Sequence, residues 1–60
     1  MTERLLTRDE VAERLRIKPG AVDYLRRRRA LACVRLSPQM VRYRAEDVEE
    51  FIRHAHVARR

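Results

Sequence analysis

The sequence predicts a small α+β domain: two short helices joined by a tight turn, then a two-stranded hairpin and a closing helix. Three observations predict it. Thr7 and Glu10 form a capping box directly before Val11, Ala12 and Leu15, which recur at helical spacing. Between residues 33 and 44 the period changes to two, with Val34, Leu36, Val41 and Tyr43 alternating with Arg35, Arg42 and Arg44. Val48, Phe51, Ile52 and Ala55 then return to helical spacing at i, i+3, i+4 and i+7.

The first helix is expected from about Arg8 to Leu15. Thr7 and Glu10 each satisfy the other's free backbone N–H, while Leu6 and Val11 have the spacing of a hydrophobic staple. Arg16, Ile17 and Lys18 make a tight turn with Ile17 pointing inward. Pro19 opens a second helix over residues 19–28, where its fixed φ helps and its missing N–H costs nothing. Val22 and Leu25 form its core face, and Gly20, Tyr24, Arg27 and Arg28 fall opposite, with Asp23 at the margin. Two helices so joined are a helix-turn-helix unit. Strands are expected at residues 33–36 and 41–44, connected through Ser37, Pro38, Gln39 and Met40 with Pro38 at the second turn position. The hairpin should then carry one apolar face and one arginine face. A last helix begins near Glu46, where Glu46 and Asp47 complement the dipole, while Ala45 makes a poor N-cap. From His56 the chain should fray. The whole reads as a winged helix-turn-helix: a single domain over residues 1–60 with its core in 5–55 and frayed termini.

Sixty residues leave room for one domain, and a chain of this size buries only about 60% of its unfolded surface. Cys33 is the single cysteine, which rules out an internal disulfide and fits a reducing compartment. No stretch has the length of a signal peptide or membrane span, so a cytoplasmic protein is expected. The net charge of +6 is unevenly placed: residues 1–17 balance, residues 45–60 sum to −1, and residues 18–44 carry eight cations against Asp23 alone. Such a segregated basic field fits a polyanion partner better than a solvated basic face. Fourteen of the fifteen cations are arginine, whose planar fork suits phosphates and guanine edges, although a GC-rich coding sequence would give the same bias.

Other chemistries find little support. His54 and His56 are two apart, which on a helix separates them by about 200°, and no CxxC or HxxxH pair exists, so no metal site is expected. Cys33 reads as a small hairpin residue. No nucleophile–base pair is suggested by spacing, and the chain offers little pocket, so neither an enzyme nor a cofactor or small-molecule ligand is expected.

The stretches LLTRDEVAERLRI, KPGAVDYLRRR, ACVRL and VRYRAEDVEEFI, covering residues 5 to 52, resemble the excisionase family of small winged-helix proteins. These recombination directionality factors are related to the DNA-binding domains of MerR-type regulators. The resemblance implies a bacterial or phage-encoded protein whose second helix enters the major groove. Lys18, Gly20, Tyr24, Arg27 and Arg28 would lie on that helix, with Tyr24, Arg27 and Arg28 facing DNA and Lys18 near a phosphate. Arg35, Arg42 and Arg44 would lie on the wing, against the backbone or minor groove, with Arg26 and Arg29 as further candidates for phosphate contact. It also implies an integrase partner and bent attachment-site DNA. Four positions depart from the family. Lys18 stands where Ser or Thr usually caps the recognition helix, and Gly20 where a polar base reader is common. Arg29 replaces the glycine that usually follows the helix, and Arg26 holds a usually apolar position, where it either snorkels or adds a phosphate contact.

Two residues keep alternatives at this level. Tyr24 either meets a base or phosphate or packs half-buried against the wing. Asp23 either accepts from a cytosine or pairs with a nearby arginine.

The first reading is therefore an excisionase-like binder of double-stranded DNA. Several copies would associate cooperatively, head to tail, because no long helix or heptad stripe offers a coiled-coil dimer. The rivals are a small MerR-like transcriptional regulator, which would usually append a coiled coil or effector domain, and a basic module docking an acidic protein. RNA binding is weaker, since exposed stacking aromatics are scarce.

Overall fold

A computed structural model describes residues 4–57. Along them run β1 (Leu5–Leu6), α1 (Arg8–Leu15), α2 (Pro19–Arg27), β2 (Val34–Ser37), β3 (Met40–Arg44) and α3 (Ala45–Ala55). The strands form an antiparallel sheet in the order β1-β3-β2. This is a small α+β winged helix-turn-helix. Arg59 and Arg60, and the fraying expected of the outermost termini, lie outside the described residues.

The capping box is present in full. The Glu10 backbone N–H donates to Thr7 Oγ1 at 3.1 Å, and the Thr7 N–H donates to Glu10 Oε1 at 2.8 Å. Beside it β1, absent from the sequence reading, pairs Leu5 with Arg44 and Leu6 with Tyr43. Leu6 is thereby fixed half-buried against the core.

α1 and α2 both end on a left-handed residue, Arg16 at φ 59° and Arg29 at φ 64°. After α2 the Arg29 N–H donates to the Arg26 carbonyl and the Ala30 N–H to the Leu25 carbonyl, each at 2.9 Å. After α1 the Arg16 and Ile17 N–H groups reach Glu13 and Ala12 in the same way. These are Schellman closures, which ordinarily favour glycine at the left-handed position. The reversal at Arg16 also corrects one expectation: Ile17 is 36% exposed, because its backbone closes the helix and its side chain is left at the domain's edge.

The core is Val11, Ala12, Val22, Leu31, Tyr43 and Val48, with Leu15, Leu25, Val41 and Phe51 packed half-buried around it. On α3 the apolar stripe is covered only in its first part. Val48 is buried and Phe51 half-buried, but among the described residues nothing covers Ile52 and Ala55, which are exposed. β3 runs into α3 without a loop, so the N-cap is Arg44, not Ala45, and it makes no side-chain capping bond.

The wing departs from the expected pattern in register. Ser37 pairs with Met40 around the Pro38–Gln39 turn, but Arg35 then pairs with Val41 and Val34 with Arg42, with Leu36 as a bulge. Residues directly opposite in an antiparallel ladder share a face, and a slip of one residue exchanges the faces. Arg35 therefore shares a face with Val41, Val34 shares one with Arg42, and Leu36 is 52% exposed. The expected division into one apolar and one arginine face is corrected accordingly. The unbulged register would have set Arg35 directly against Arg42, a like-charge pair that destabilises a sheet.

Candidate nucleic-acid interface

α2 presents Gly20, Tyr24, Arg27 and Arg28 exposed, with Asp23 half-buried at the margin. Asp23 accepts from Arg8 at 2.7 Å and lies 3.5 Å from Arg26. Burial alone would push its carboxyl up, but the hydrogen bonds and charges of Arg8 and Arg26 outweigh it and hold the group below the usual carboxylate range. Arg26 is turned inward, its side chain 23% exposed. Burial disfavours its charge, and the neighbouring Tyr43 hydroxyl together with Asp23 more than offsets that. The Arg26 Nε nevertheless has no partner. Burial raises the Tyr43 hydroxyl above its ordinary value. This cluster ties α2 to the start of α1 and to β3. It also neutralises the one carboxylate of the basic segment, which would otherwise repel a phosphate backbone.

On the outer face Arg28 lies 5.5 Å from the Tyr24 ring centroid, and its Nη1 donates to the Tyr24 hydroxyl at 2.9 Å. Tyr24 is 51% exposed and stands with Arg28 as an ordered pair on the helix surface. The side chains of Lys18, Arg27 and Arg29 make no hydrogen bond or ion pair among the described residues. Lys18 caps α2 without a side-chain bond, and at Gly20 a Cβ would meet nothing within 4 Å. The fold itself thus places no demand for glycine there.

The wing arginines are separated by the bulge. Arg35 donates to the Pro38 carbonyl at 3.2 Å, and Arg42 to the Val41 carbonyl at 2.9 Å, from opposite faces of the hairpin. Arg44 is half-buried at the head of α3, 3.0 Å from Glu46. A groove of about 560 Å³ is lined by Arg26, Arg27, Arg29 and Arg35 together with Asp47 and Glu50 of α3. The end of α2 and one wing arginine thus line one groove of mixed charge, while Arg42 lines a second cleft with Arg8, Asp23 and Arg26.

The helix-turn-helix domain family model matches the chain over residues 5–56. The chain belongs to that family. Neither the curated proteins nor the solved structures give a match.

Helix-turn-helix membership supports sequence-specific DNA binding, and a DNA-binding rather than catalytic protein. α2 is the second helix of this helix-turn-helix unit. Among the described residues no helix is long and apolar enough to cross a membrane, and no group of three or more His, Cys, Asp or Glu could hold a metal ion. One contributor escaped the sequence reading. Arg8 lies fifteen residues from Asp23, beyond any local spacing rule.

Proposed function

We propose that this helix-turn-helix domain is an excisionase-like architectural protein. It binds attachment-site duplex through α2 in the major groove and the wing on the backbone or minor groove, bends it, and directs an integrase toward excision. The observation that carries this reading is the set of cations without partners at the two ends of α2. The side chains of Lys18, Arg27 and Arg29 have no partner among the described residues, while Asp23 is consumed by Arg8 and Arg26. Tyr24, Arg28, Arg35, Arg42 and Arg44 complete the contact surface.

An architectural role is favoured over stringent reading by the first turn of α2. The N-terminal residues of a recognition helix normally touch base edges. Here Pro19 and Gly20 offer no side chain that can read one. A lone copy should discriminate poorly, and specificity would come from copies bound head to tail at direct repeats about one helical turn apart.

Gel shifts across a salt series test the electrostatic core. With roughly five to eight phosphate contacts, log K against log[salt] should slope at about −4.5 to −7, and a slope shallower than about −2 would refute it. Sedimentation, footprinting and circular-permutation shifts test the rest, with a free monomer, cooperative occupancy of direct repeats and bent DNA expected. A stable free dimer on one inverted repeat of straight DNA would instead favour a small MerR-like regulator.

A further inference from the structure

The wing tip is uncharged from Leu36 through Val41. Two of the domain's exposed large apolar side chains sit there, Leu36 at 52% and Met40 at 46%. Their exposure is built in. The bulge at Leu36 withdraws that residue from the ladder, and bulges re-aim side chains away from the face that alternation would give them. Immediately behind this tip stand Arg35 and Arg42, each tethered by one bond to a tip carbonyl, Pro38 or Val41. A guanidinium has five N–H donors, so one such bond leaves others to engage a partner. The register puts the two arginines on opposite faces of the hairpin. An apolar point with one cation on either flank matches a groove whose floor is stacked bases and whose two walls are phosphate backbones.

We propose that Leu36 and Met40 form an apolar wedge that enters the minor groove and opens one base step, while Arg35 and Arg42 hold the phosphates on either side. This rests on the DNA-binding reading above and deepens it by assigning the bend to two side chains. Leu and Met are among the residues that act as such wedges, which kink a duplex by roughly 20–90°. Charge argues against the basic segment of a second copy of the chain as the occupant. Residues 18–44 carry eight cations against one carboxylate, so a tip bracketed by arginines would be repelled by that segment of another copy, and contact with its acidic α3 is an outcome of the test.

The experiment uses a 24-base-pair duplex with one central TA step, a flexible step that kinks easily. It carries 2-aminopurine at that step and a fluorophore pair at its ends. It is titrated at low salt, where binding needs no cognate site. The wild-type protein should raise 2-aminopurine emission at least about threefold and shorten the end-to-end distance, as expected for an unstacked, kinked step. Leu36→Ser/Met40→Ser should bind within about tenfold of wild type with an unchanged salt slope, because its arginines remain, yet lose most of both signals. Leu36→Phe, a bulkier wedge, should keep both, and guards against a tip that merely misfolds.

Wild-type binding without 2-aminopurine enhancement overturns the wedge and leaves the DNA reading standing. So does a double variant that unstacks the step as well as wild type. If the double variant keeps both signals and loses only cooperativity between copies, the tip is a protein contact and the wedge is overturned. Failure of the wild-type protein to bind any duplex overturns both readings together.

Discussion

Replacing Arg29 by glycine should move stability and DNA affinity in opposite directions. Arg29 holds φ 64° in the Schellman closure of α2, and both closing bonds are made by backbone groups, so glycine preserves them. A side chain in the left-handed region costs about 1–2 kcal/mol, which glycine removes. Against that, the freer unfolded chain of a glycine variant costs about 0.4–1 kcal/mol. The net is a gain of about 0–1.6 kcal/mol, about 0.8 at the midpoints, and that midpoint in a domain of this size raises Tm by about 3–6 °C. The same substitution removes a guanidinium that has no partner among the described residues. If it meets a phosphate, the salt slope should become shallower by about 0.9. Calorimetry and a gel-shift salt series measure the two effects, and Arg29→Ala separates them, since alanine keeps the backbone strain while losing the charge. That variant should bind as weakly as Arg29→Gly without the gain in Tm. An Arg29→Gly protein melting below wild type would refute the strain argument. One that is stabilised but binds with an undiminished slope would remove Arg29 from the interface.

Two further outcomes follow from the site's geometry. Arg42→Ala should weaken binding to all duplexes alike, whereas Arg27→Ala or Arg28→Ala should cost about 1–3 kcal/mol with relaxed discrimination at one base if either reads a base edge. Arg53→Ala, which loses only an exposed pair with Glu50, should change binding little, and equal losses at all four in gel shifts would mean a surface without docking geometry. Asp23→Asn should destabilise the fold by about 1–2 kcal/mol at neutral pH, because Arg8 and Arg26 lose their carboxylate. The folded Asp23 titrates below its unfolded value, so its contribution is full above about pH 4 and is lost as pH falls through the folded value. Urea melts should therefore show the gap between wild type and variant closing in acid, and a gap independent of pH would exclude the Asp23 carboxylate as its source.

Most of the fold was legible because its signals are local. The capping box and the apolar triplet behind it set α1 over Arg8–Leu15, and Pro19 set the start of α2. Pro38 at the second turn position placed the hairpin connection, with Ser37 and Met40 paired around it. What could not be read is non-local. β1 is two residues long, too short for a period, and exists only because β3 offers it an edge. Leu31 is 2% exposed yet lies in a connecting loop, where no periodicity marks it as core. The cluster of Arg8, Asp23, Arg26 and Tyr43 draws on α1, α2 and β3. An arginine at a usually apolar position became intelligible only once a buried tyrosine hydroxyl and a carboxylate were beside it.

The wing shows why a correct strand assignment can still misplace a site. Alternation within each strand was real, and it put Val34 with Leu36 and Val41 with Tyr43. Matching those two pairs across the hairpin requires Arg35 to oppose Arg42, and no single strand carries the cost of that meeting. The bulge resolves it by a one-residue slip: Leu36 gives up its core position, and Arg35 moves opposite Val41. Sequence periodicity records what each strand prefers alone, whereas register is decided by what the pair must avoid. The same slip separates the two arginines onto opposite faces and leaves the apolar tip between them. The feature that defeated the face assignment is thus the one that gives the wing its geometry for contact.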